Sequence, residues 1–202
     1  MKLKFQFHVH TRKDPVDRPF HTEKEMIDAA AKHRYDVVAT TCHNKVVFDE
    51  DLKKYAAEKG ILLIPGIEKD IEKRHVLIIN ATQEAEKIQN FENLRKYRKT
   101  HPDCFVIAPH PFYFTWFCLR KKLVENLDCF DAIEYSWYHT KSFNIWNQKA
   151  EKFSKKHGLP MISTSDNHIL VYFDRQYSFV ETEEKKWENI RKSLKSGKIE
   201  IH

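Results

Sequence analysis

The chain has 202 residues, of which 41% are hydrophobic and 32% are charged, and its formal net charge is +6. These values are typical of a folded globular protein and exclude a disordered chain, and no run approaches the roughly 18 apolar residues that a membrane span needs. The length predicts a single domain, residues 1–202. The first residues lack the apolar core of a secretory signal, so we expect a cytoplasmic protein with no membrane partner.

The first predicted strand, residues 2–11, carries two histidines two positions apart. Alternation along a strand directs Phe5, Phe7 and Val9 to one side and Gln6, His8 and His10 to the other. Two imidazoles that point the same way are a common start of a metal site, because histidine is the commonest neutral nitrogen ligand. Surface histidine pairs are frequent, so the weight of this pair depends on what the other strands contribute.

Strands and helices alternate along the rest of the chain. Helices are predicted at 22–33, 49–59, 82–99, 119–127, 143–157 and 183–196, and strands at 36–41, 61–68, 75–80, 104–108, 131–135, 160–164 and 177–181. A continuous apolar strand followed by an amphipathic helix, repeated, indicates a parallel sheet covered by helices. The sequence therefore predicts an α/β fold.

One connection breaks this pattern. Between Glu68 and the next strand, which begins at His75, lie six residues. A parallel crossover needs about a dozen residues or more, so the two strands near residues 61–80 should form an antiparallel pair. Such a pair brings His75 to the same edge of the sheet as Glu68.

Polar side chains of two kinds, imidazoles and carboxylates, follow nearly every predicted strand. They are His8, His10, His43, Glu68, His110, Glu134, Asp166 and His168, with His75 at the same edge. Functional groups of βα-barrels lie at the carboxyl ends of the strands. Burying such a cluster is costly unless cations neutralise it, and histidine with carboxylate suits Zn²⁺, Mn²⁺ or Fe²⁺.

The same residues form motifs in a recognisable order. These are His8-Val9-His10-Thr11, Thr41-Cys42-His43-Asn44, Pro65-Gly66-Ile67-Glu68, His75-Val76-Leu77, Pro109-His110-Pro111, Glu134 and Ser165-Asp166-Asn167-His168. Through them nearly the whole chain resembles the PHP (polymerase and histidinol phosphatase) superfamily. The resemblance implies a distorted seven-stranded (β/α) barrel, two or three divalent metal ions at its rim, and a metal-dependent phosphoesterase activity.

The resemblance also implies a set of ligands for each ion. One ion is assigned to His8, His10, Glu68 and Asp166, a second shares Glu68 and adds His75 and His110, and a third takes His43, His168 and an acid from the first loop.

The chain departs from the family pattern at two positions. The family has aspartate where this chain has Cys42, which we interpret as a substitution beside the ligands, with a thiolate ligand as the alternative. The family's loop acid falls where this chain has Pro15. Asp14 is the preferred replacement, Asp17 is the alternative, and His21 is a remote third.

A mechanism follows from the resemblance. A hydroxide that bridges two ions, held through Glu68 and Asp166 as catalytic residues, would attack phosphorus. A third ion and a nearby cation would bind the phosphoryl oxygens, and Arg12 and Arg175 are the candidate substrate-binding residues, with Lys13 as a further one. No general acid is evident.

The expected substrate is a small phosphomonoester, a nucleotide or a nucleic-acid end. Residues 112–117 are unusually aromatic and, with Trp137 and Tyr138, suit the stacking of a nucleobase; the alternative is packing within the fold or against a partner subunit. Two other functions stay open, namely a metal-dependent C–N hydrolase and a non-catalytic, metal-stabilised accessory module. The sequence leaves the oligomeric state open.

Overall fold

The structure is a computed structural model that describes residues 1–137, 139–140 and 143–202. Its strands are β1 (Lys2–Gln6), β2 (Val37–Thr40), β3 (Leu62–Ile71), β4 (Arg74–Ile79), β5 (Phe105–Ala108), β6 (Ala132–Ser136), β7 (Met161–Thr164), β8 (Ser178–Glu181) and β9 (Ile199–Ile201). Its α-helices are α1 (Glu23–Lys32), α2 (Glu50–Glu58), α3 (Phe91–Thr100), α4 (Lys121–Glu125), α5 (Ile145–His157) and α6 (Trp187–Lys195). Short 3₁₀ turns lie at Gln83–Lys87, Leu127–Cys129 and Leu170–Tyr172.

The strands form one mixed sheet that curves into a nearly closed barrel. Its order is β7-β6-β5-β4-β3-β2-β1-β8-β9, so within the described residues it has nine strands, and the predicted count of seven is wrong. β9 is the one strand that is absent from the eight predicted along the sequence. It follows Gly197, which adopts a left-handed φ of 72°, and there the chain runs back along β8. β7 lies at one edge of the sheet, and the side chain of Ser178 connects it to β8. Ser178 Oγ accepts from Ser163 N–H at 2.8 Å and donates to Ser163 O at 3.0 Å.

The antiparallel pair predicted near residues 61–80 is confirmed. β3 and β4 run antiparallel with Asp70 opposite His75, and β4 is also antiparallel to β5. The turn between them consists of Glu72 and Lys73, both at positive φ (50° and 63°), as two-residue hairpins require. The sequence did not signal this hairpin because neither position is Gly or Asn.

The helix predicted in the middle of the chain differs in the structure. The helix predicted over 82–99 is wrong in its first part: a 3₁₀ turn ends near Ile88, which is extended, and Asn90 then caps α3 by accepting from Asn93 N–H. An asparagine side chain competes with helix continuation and favours a new N-terminus.

The capping box of α1 is confirmed, with Thr22 and Glu25 each accepting from the other's backbone.

The first strand is shorter than residues 2–11, and its alternation changes phase. Phe5 and Phe7 lie in the inner apolar cluster with residues from strands around the sheet, whereas Val9 packs outward with the residues of α1. Beyond Gln6 the chain is irregular, and Val9 N–H donates to Thr41 Oγ1. This change of phase turns His8 and His10 toward the interior of the barrel.

Apolar residues fill one end of the barrel and leave the other end to polar groups. α6 packs into the inner cluster through Ile190 and Leu194. The same cluster contains Phe105 and Ile107. α1 and α2 cover one outer face of the sheet, and α3 and α5 cover another. No helix among the described residues combines the length and the apolar character needed to cross a membrane.

Candidate metal centre

The polar residues that follow the strands meet in a cavity of about 280 Å³. Its walls are Val16, Asp17, His43, Glu68, Asp70, His75, His110, Trp116, Phe117, Asp166 and His168. Two of these residues are held at unusual backbone angles, His110 at a φ of 30° and Asp166 at 45°. Non-glycine residues rarely adopt positive φ, and such strain is concentrated at functional sites. At both strand ends it turns an imidazole or a carboxylate into the cavity.

The first group of side chains contains His8, His10, Glu68 and Asp166, all buried, with one ligand atom of each within 4.8 Å of the others. His8 Nε2 lies 3.2 Å from both Glu68 Oε2 and Asp166 Oδ1. His10 Nε2 lies 3.2 and 3.3 Å from the same two oxygens. Two nitrogens and two oxygens therefore surround one point.

This group fits a divalent metal ion. His8 Nε2 and His10 Nε2 are buried and have no hydrogen-bond partner among the described residues. For metal–ligand bonds of about 2.0–2.2 Å, neighbouring ligand atoms lie about 2.8–3.6 Å apart, and the observed separations fall in that range. Mixed nitrogen and oxygen donors without thiolate favour zinc, manganese or iron.

The carboxylate of Glu68 faces two groups of imidazoles at once. While Oε2 faces His8 and His10, Oε1 lies 2.9 Å from His75 Nδ1 and 3.2 Å from His110 Nε2. Glu68 is 1% exposed, and His43 Nδ1 also lies 3.3 Å from its Oε2, so that His43, Glu68 and His75 form the second group of potential ligands. A carboxylate in this position can bridge two cations.

A third group brings together His10, Asp17, His43 and His168. Asp17 Oδ2 lies 3.0 Å from His43 Nε2 and 2.9 Å from His168 Nε2. Asp17, the alternative in the sequence, is therefore the first-loop acid that faces both imidazoles. His21 belongs to none of the three groups found among the described residues.

Asp14, the acid preferred from sequence, occupies a different position. Its Oδ2 accepts hydrogen bonds from His10 Nδ1 and from His43 N–H, each at 2.7 Å. Its Oδ1 accepts from Val16 N–H and Asp17 N–H. Both oxygens are thus engaged by hydrogen-bond donors, and the geometry does not favour Asp14 as a ligand. The spacing along a loop cannot distinguish the two acids, because the path of the loop decides which one reaches the imidazoles.

Glu134 has a similar position behind His8. His8 Nδ1 donates to Glu134 Oε1 at 2.7 Å, and His110 N–H donates to Glu134 Oε2 at 2.6 Å. Thr164 Oγ1 also donates to this carboxylate. A carboxylate on Nδ1 leaves Nε2 as the nitrogen that faces a metal, as carboxylate–histidine–metal arrangements require. The sequence placed Glu134 at a strand end but did not reveal this contact.

Protons and cations compete for these nitrogens. Burial lowers the pKa of His8, but the charges of Asp166 and Glu68 raise it more, to about 10. The pKa of His10 is raised well above its usual value, since its hydrogen bond to Asp14 and the nearby carboxylates of Asp166 and Glu68 outweigh burial. Burial lowers the pKa of His43, despite the charge of Glu68. The site therefore attracts positive charge, while the lowered pKa of His43 favours its neutral imidazole.

Cys42 lies beside the ligands as a buried thiol. Burial raises its pKa, and its Sγ is 3.3 Å from Thr11 Oγ1, which donates to Glu23. Thiols with a raised pKa are poor metal ligands, because the thiolate is the form that binds. Cys42 is in none of the three groups among the described residues.

The candidate substrate-binding cations differ in position. Arg12 is exposed, and its guanidinium donates to Phe20 O in the same loop. Lys13 pairs with Glu23 at 3.7 Å. Arg175 lies over the Trp137 ring at 5.3 Å and borders a side cavity of about 120 Å³ that shares Asp166 with the metal cavity. Of the three cations, Arg175 is the one that borders a cavity beside the centre.

The aromatic residues after His110 divide into two sets. Phe117 stacks on His75 at 4.4 Å, and Phe112 is buried. Phe114 and Trp116 are 62% and 66% exposed, and Trp116 lines the metal cavity. Tyr138 lies outside the described residues. Packing thus accounts for Phe112 and Phe117, whereas Trp116 is an exposed ring at the cavity and Phe114 is an exposed ring in the same loop.

Comparison with known proteins identifies the fold. Residues 144–199 match the PHP-associated family, whereas curated proteins give no match. A two-domain protein from Bacteroides vulgatus, described as containing a predicted PHP-like metal-dependent phosphoesterase, superposes with a TM-score of 0.74 at 21% identity, over 100% of this chain and 65% of that one. The lesion-specific endonuclease PfuEndoQ from Pyrococcus furiosus gives 0.69 at 17% identity, over 100% and 58%.

A third structure, Endonuclease Q in complex with a 27-mer duplex substrate that has an abasic lesion at the active site, gives 0.66 at 17% identity, over 97% of this chain and 57% of that one. The chain thus spans less than two thirds of each of these proteins. At these identities the likeness shows the fold, which is the PHP-type barrel. Together with the family match, it confirms the resemblance to the PHP superfamily indicated by the sequence motifs.

Proposed function

We propose that this chain, acting as a single unit over residues 1–202, is a metal-dependent phosphoesterase. The observation that carries the proposal is the position of Glu68, whose two oxygens face two groups of imidazoles at 2.9–3.3 Å. Two cations held a few ångströms apart by one carboxylate suit in-line displacement at phosphorus.

The proposed ligands follow the first and third groups of side chains and, for the second ion, the two imidazoles that face Glu68 Oε1. One ion takes His8, His10, Glu68 and Asp166; a second takes Glu68, His75 and His110; a third takes His43, His168 and Asp17. Asp17 replaces Asp14 in this assignment because of its contacts with both imidazoles of the third group. Zinc, manganese or iron suits the donor set.

When bound, such ions lower the pKa of a coordinated water toward about 7 and polarise a phosphoryl oxygen. The chain's own residues prepare the site. Glu134 and Asp14 hold the imidazoles of His8 and His10 in the tautomer that presents Nε2. Arg175 borders the adjoining cavity, where a guanidinium can bind an anionic substrate.

For the substrate we propose a nucleotide or the end of a nucleic acid. Trp116 offers an exposed ring at the cavity and Phe114 a second exposed ring in the same loop, and stacking is worth about 1–3 kcal/mol per base. The nucleic-acid substrate of the endonuclease with the same fold supports this choice.

The first experiment measures metal content and hydrolysis together. Protein purified with Mn²⁺ or Zn²⁺ and without chelator should hold at least two ions per chain and release product from p-nitrophenyl phosphate, its bis-ester or a nucleoside monophosphate. Amide and amidine substrates in the same panel test C–N hydrolysis. Fewer than one ion per chain, or an active protein that cleaves only C–N bonds, would refute the proposal.

The second experiment tests the nucleotide. Trp116→Ala should lower kcat/KM for a nucleoside monophosphate about 5- to 100-fold, as a lost stacking contact predicts, and leave a sugar phosphate unaffected. Val171→Ala is the matched control, since Val171 is 79% exposed and outside both cavities. Equal effects on both substrates would assign Trp116 to packing.

A further inference from the structure

A groove of about 400 Å³ lies between α4, α5 and the loop that follows β5. Phe112, Val124 and Phe153 contribute its apolar surface. Its remaining lining residues are all cations, namely Arg120, Lys121, Lys149, Lys152 and Lys156.

Three of the four lysines of α5, namely Lys149, Lys152 and Lys156, share one face of the helix and line the groove. At about 100° per residue they fall within about 60° of each other, and Glu151 points about 140–160° away from Lys149 and Lys156. The rise of about 1.5 Å per residue spreads the three lysines over about 10 Å. The helix therefore presents a row of positive charge, with its acid on another face.

Most of this charge is not neutralised within the fold. In the described part of the chain, Lys121 pairs with Glu125 at 3.4 Å, whereas Arg120 and the three α5 lysines have no acidic partner. Arg120 instead donates to the carbonyl oxygens of Tyr113 and Phe114. Like charges on one helix face are destabilising unless an anion lies among them.

The groove adjoins the metal cavity through one loop. His110 lies at the cavity and Phe112 in the groove, and two residues place their Cα atoms within about 8 Å. Phe114 and Trp116, the exposed rings, belong to the same loop. The groove and the metal cavity are thus neighbouring sites joined by one loop, with no lining residue in common.

We propose that this groove binds the phosphate backbone of a single-stranded nucleic acid whose reacting ester lies at the metal centre. The inference rests on the proposed function and extends it from nucleotides to polynucleotides. Each strand of a duplex has one phosphate per about 3.4 Å of axis and an unstacked single strand is more extended, so a row of lysines about 10 Å long can contact about two to three phosphates. A basic groove beside exposed aromatic rings is how single strands are bound without sequence preference. A flat anionic membrane would contact the outer lysines without filling a groove.

The test measures binding of a fluorescein-labelled oligothymidylate 8-mer by anisotropy, extrapolated to zero time so that hydrolysis does not contribute. The variant is Lys149→Gln/Lys152→Gln/Lys156→Gln. Each lost single-strand phosphate contact removes about 0.7 from the slope of log K against log salt, so the slope should fall by about 2 and the affinity at 0.1 M salt by about 100-fold. Lys54→Gln/Lys87→Gln/Lys99→Gln removes the same charge from exposed positions elsewhere and should change affinity less than threefold.

Several outcomes would overturn the proposal: equal losses in the two triple variants, no loss in either, or no binding of the 8-mer by the wild type at 50 mM salt. Equal affinity for a methylphosphonate-linked 8-mer, which lacks the charges, would also overturn it. Stronger lysine-dependent binding to phosphatidylserine vesicles than to the 8-mer would assign the groove to a membrane. Wild-type hydrolysis of p-nitrophenyl phosphate is measured separately, so its failure refutes the proposed function while the binding data still decide on the groove.

Discussion

Asp14 provides a strict test of how the site is held together. Its carboxylate is fully buried and accepts from His10 Nδ1, from the backbone of His43 and from two further amides in its own loop. We predict that Asp14→Asn lowers both the stability of the fold and the metal affinity of the first group, although the proposed ligand set does not include Asp14.

The magnitude follows from the hydrogen bonds. Asparagine has one acceptor oxygen, so it can accept either from the two loop amides or from His10 and the His43 amide, but not from both sets. A buried donor left without a partner costs about 1–3 kcal/mol. For a protein of this size that lowers Tm by about 2–12 °C. If His10 then accepts from the new amide through Nδ1, its proton moves to Nε2, the nitrogen that faces Glu68 and Asp166. Loss of such an orienting partner lowers metal affinity about 10- to 100-fold.

Calorimetric melting of the protein and competition for Zn²⁺ with a chromophoric chelator measure the two effects. Asp17→Asn is the matched control, because the Asp17 side chain is 43% exposed and faces the third group. It should leave Tm within about 2 °C of wild type and remove one ion per chain. An Asp14→Asn protein with wild-type Tm and zinc affinity would refute the orienting role. A loss of the third ion in Asp14→Asn but not in Asp17→Asn would reverse the assignment of the two acids.

Three further predictions concern the centre and the fold. Glu68→Gln should reduce the metal content, measured by elemental analysis, below one ion per chain. It should also reduce hydrolysis, measured by phosphate release, more than Asp17→Asn does, since Glu68 faces two groups of imidazoles. Because the pKa of His8 is raised to about 10, a proton must leave as a metal binds, so metal affinity should rise with pH from 6 toward 10 and then level off; a flat profile in chelator competition would contradict this. Asp131→Asn should cost about 2–4 kcal/mol at pH 7 by urea unfolding, because the Asp131 side chain is 7% exposed and pairs with Arg98 at 2.8 Å. The charge of Arg98 outweighs burial and lowers the pKa of Asp131. The stability that this pair contributes is therefore present above the unfolded pKa of about 3.9 and is lost as pH falls through the folded pKa. An undiminished destabilisation by Asp131→Asn in acid would refute the pairing.

The sequence by itself determined the kinds of residue at the strand ends and one reversal of strand direction. Imidazoles and carboxylates after successive strands indicated a metal site because the carboxyl ends of parallel strands meet at one rim. Six residues between Glu68 and His75 were enough to predict β3 antiparallel to β4, since chain length limits the connection. Both inferences depend on local geometry, which periodicity and spacing record.

Only the tertiary structure decided which side chains meet. The phase change between Phe7 and Val9 depends on a contact with Thr41, and the choice of Asp17 over Asp14 depends on the path of a loop across two imidazoles. The position of Glu134 behind His8 joins residues 126 positions apart. Spacing along the chain carries no record of such contacts, because they depend on how distant segments pack against each other. For the same reason, only the fold placed three lysines of α5 in one groove with Phe112.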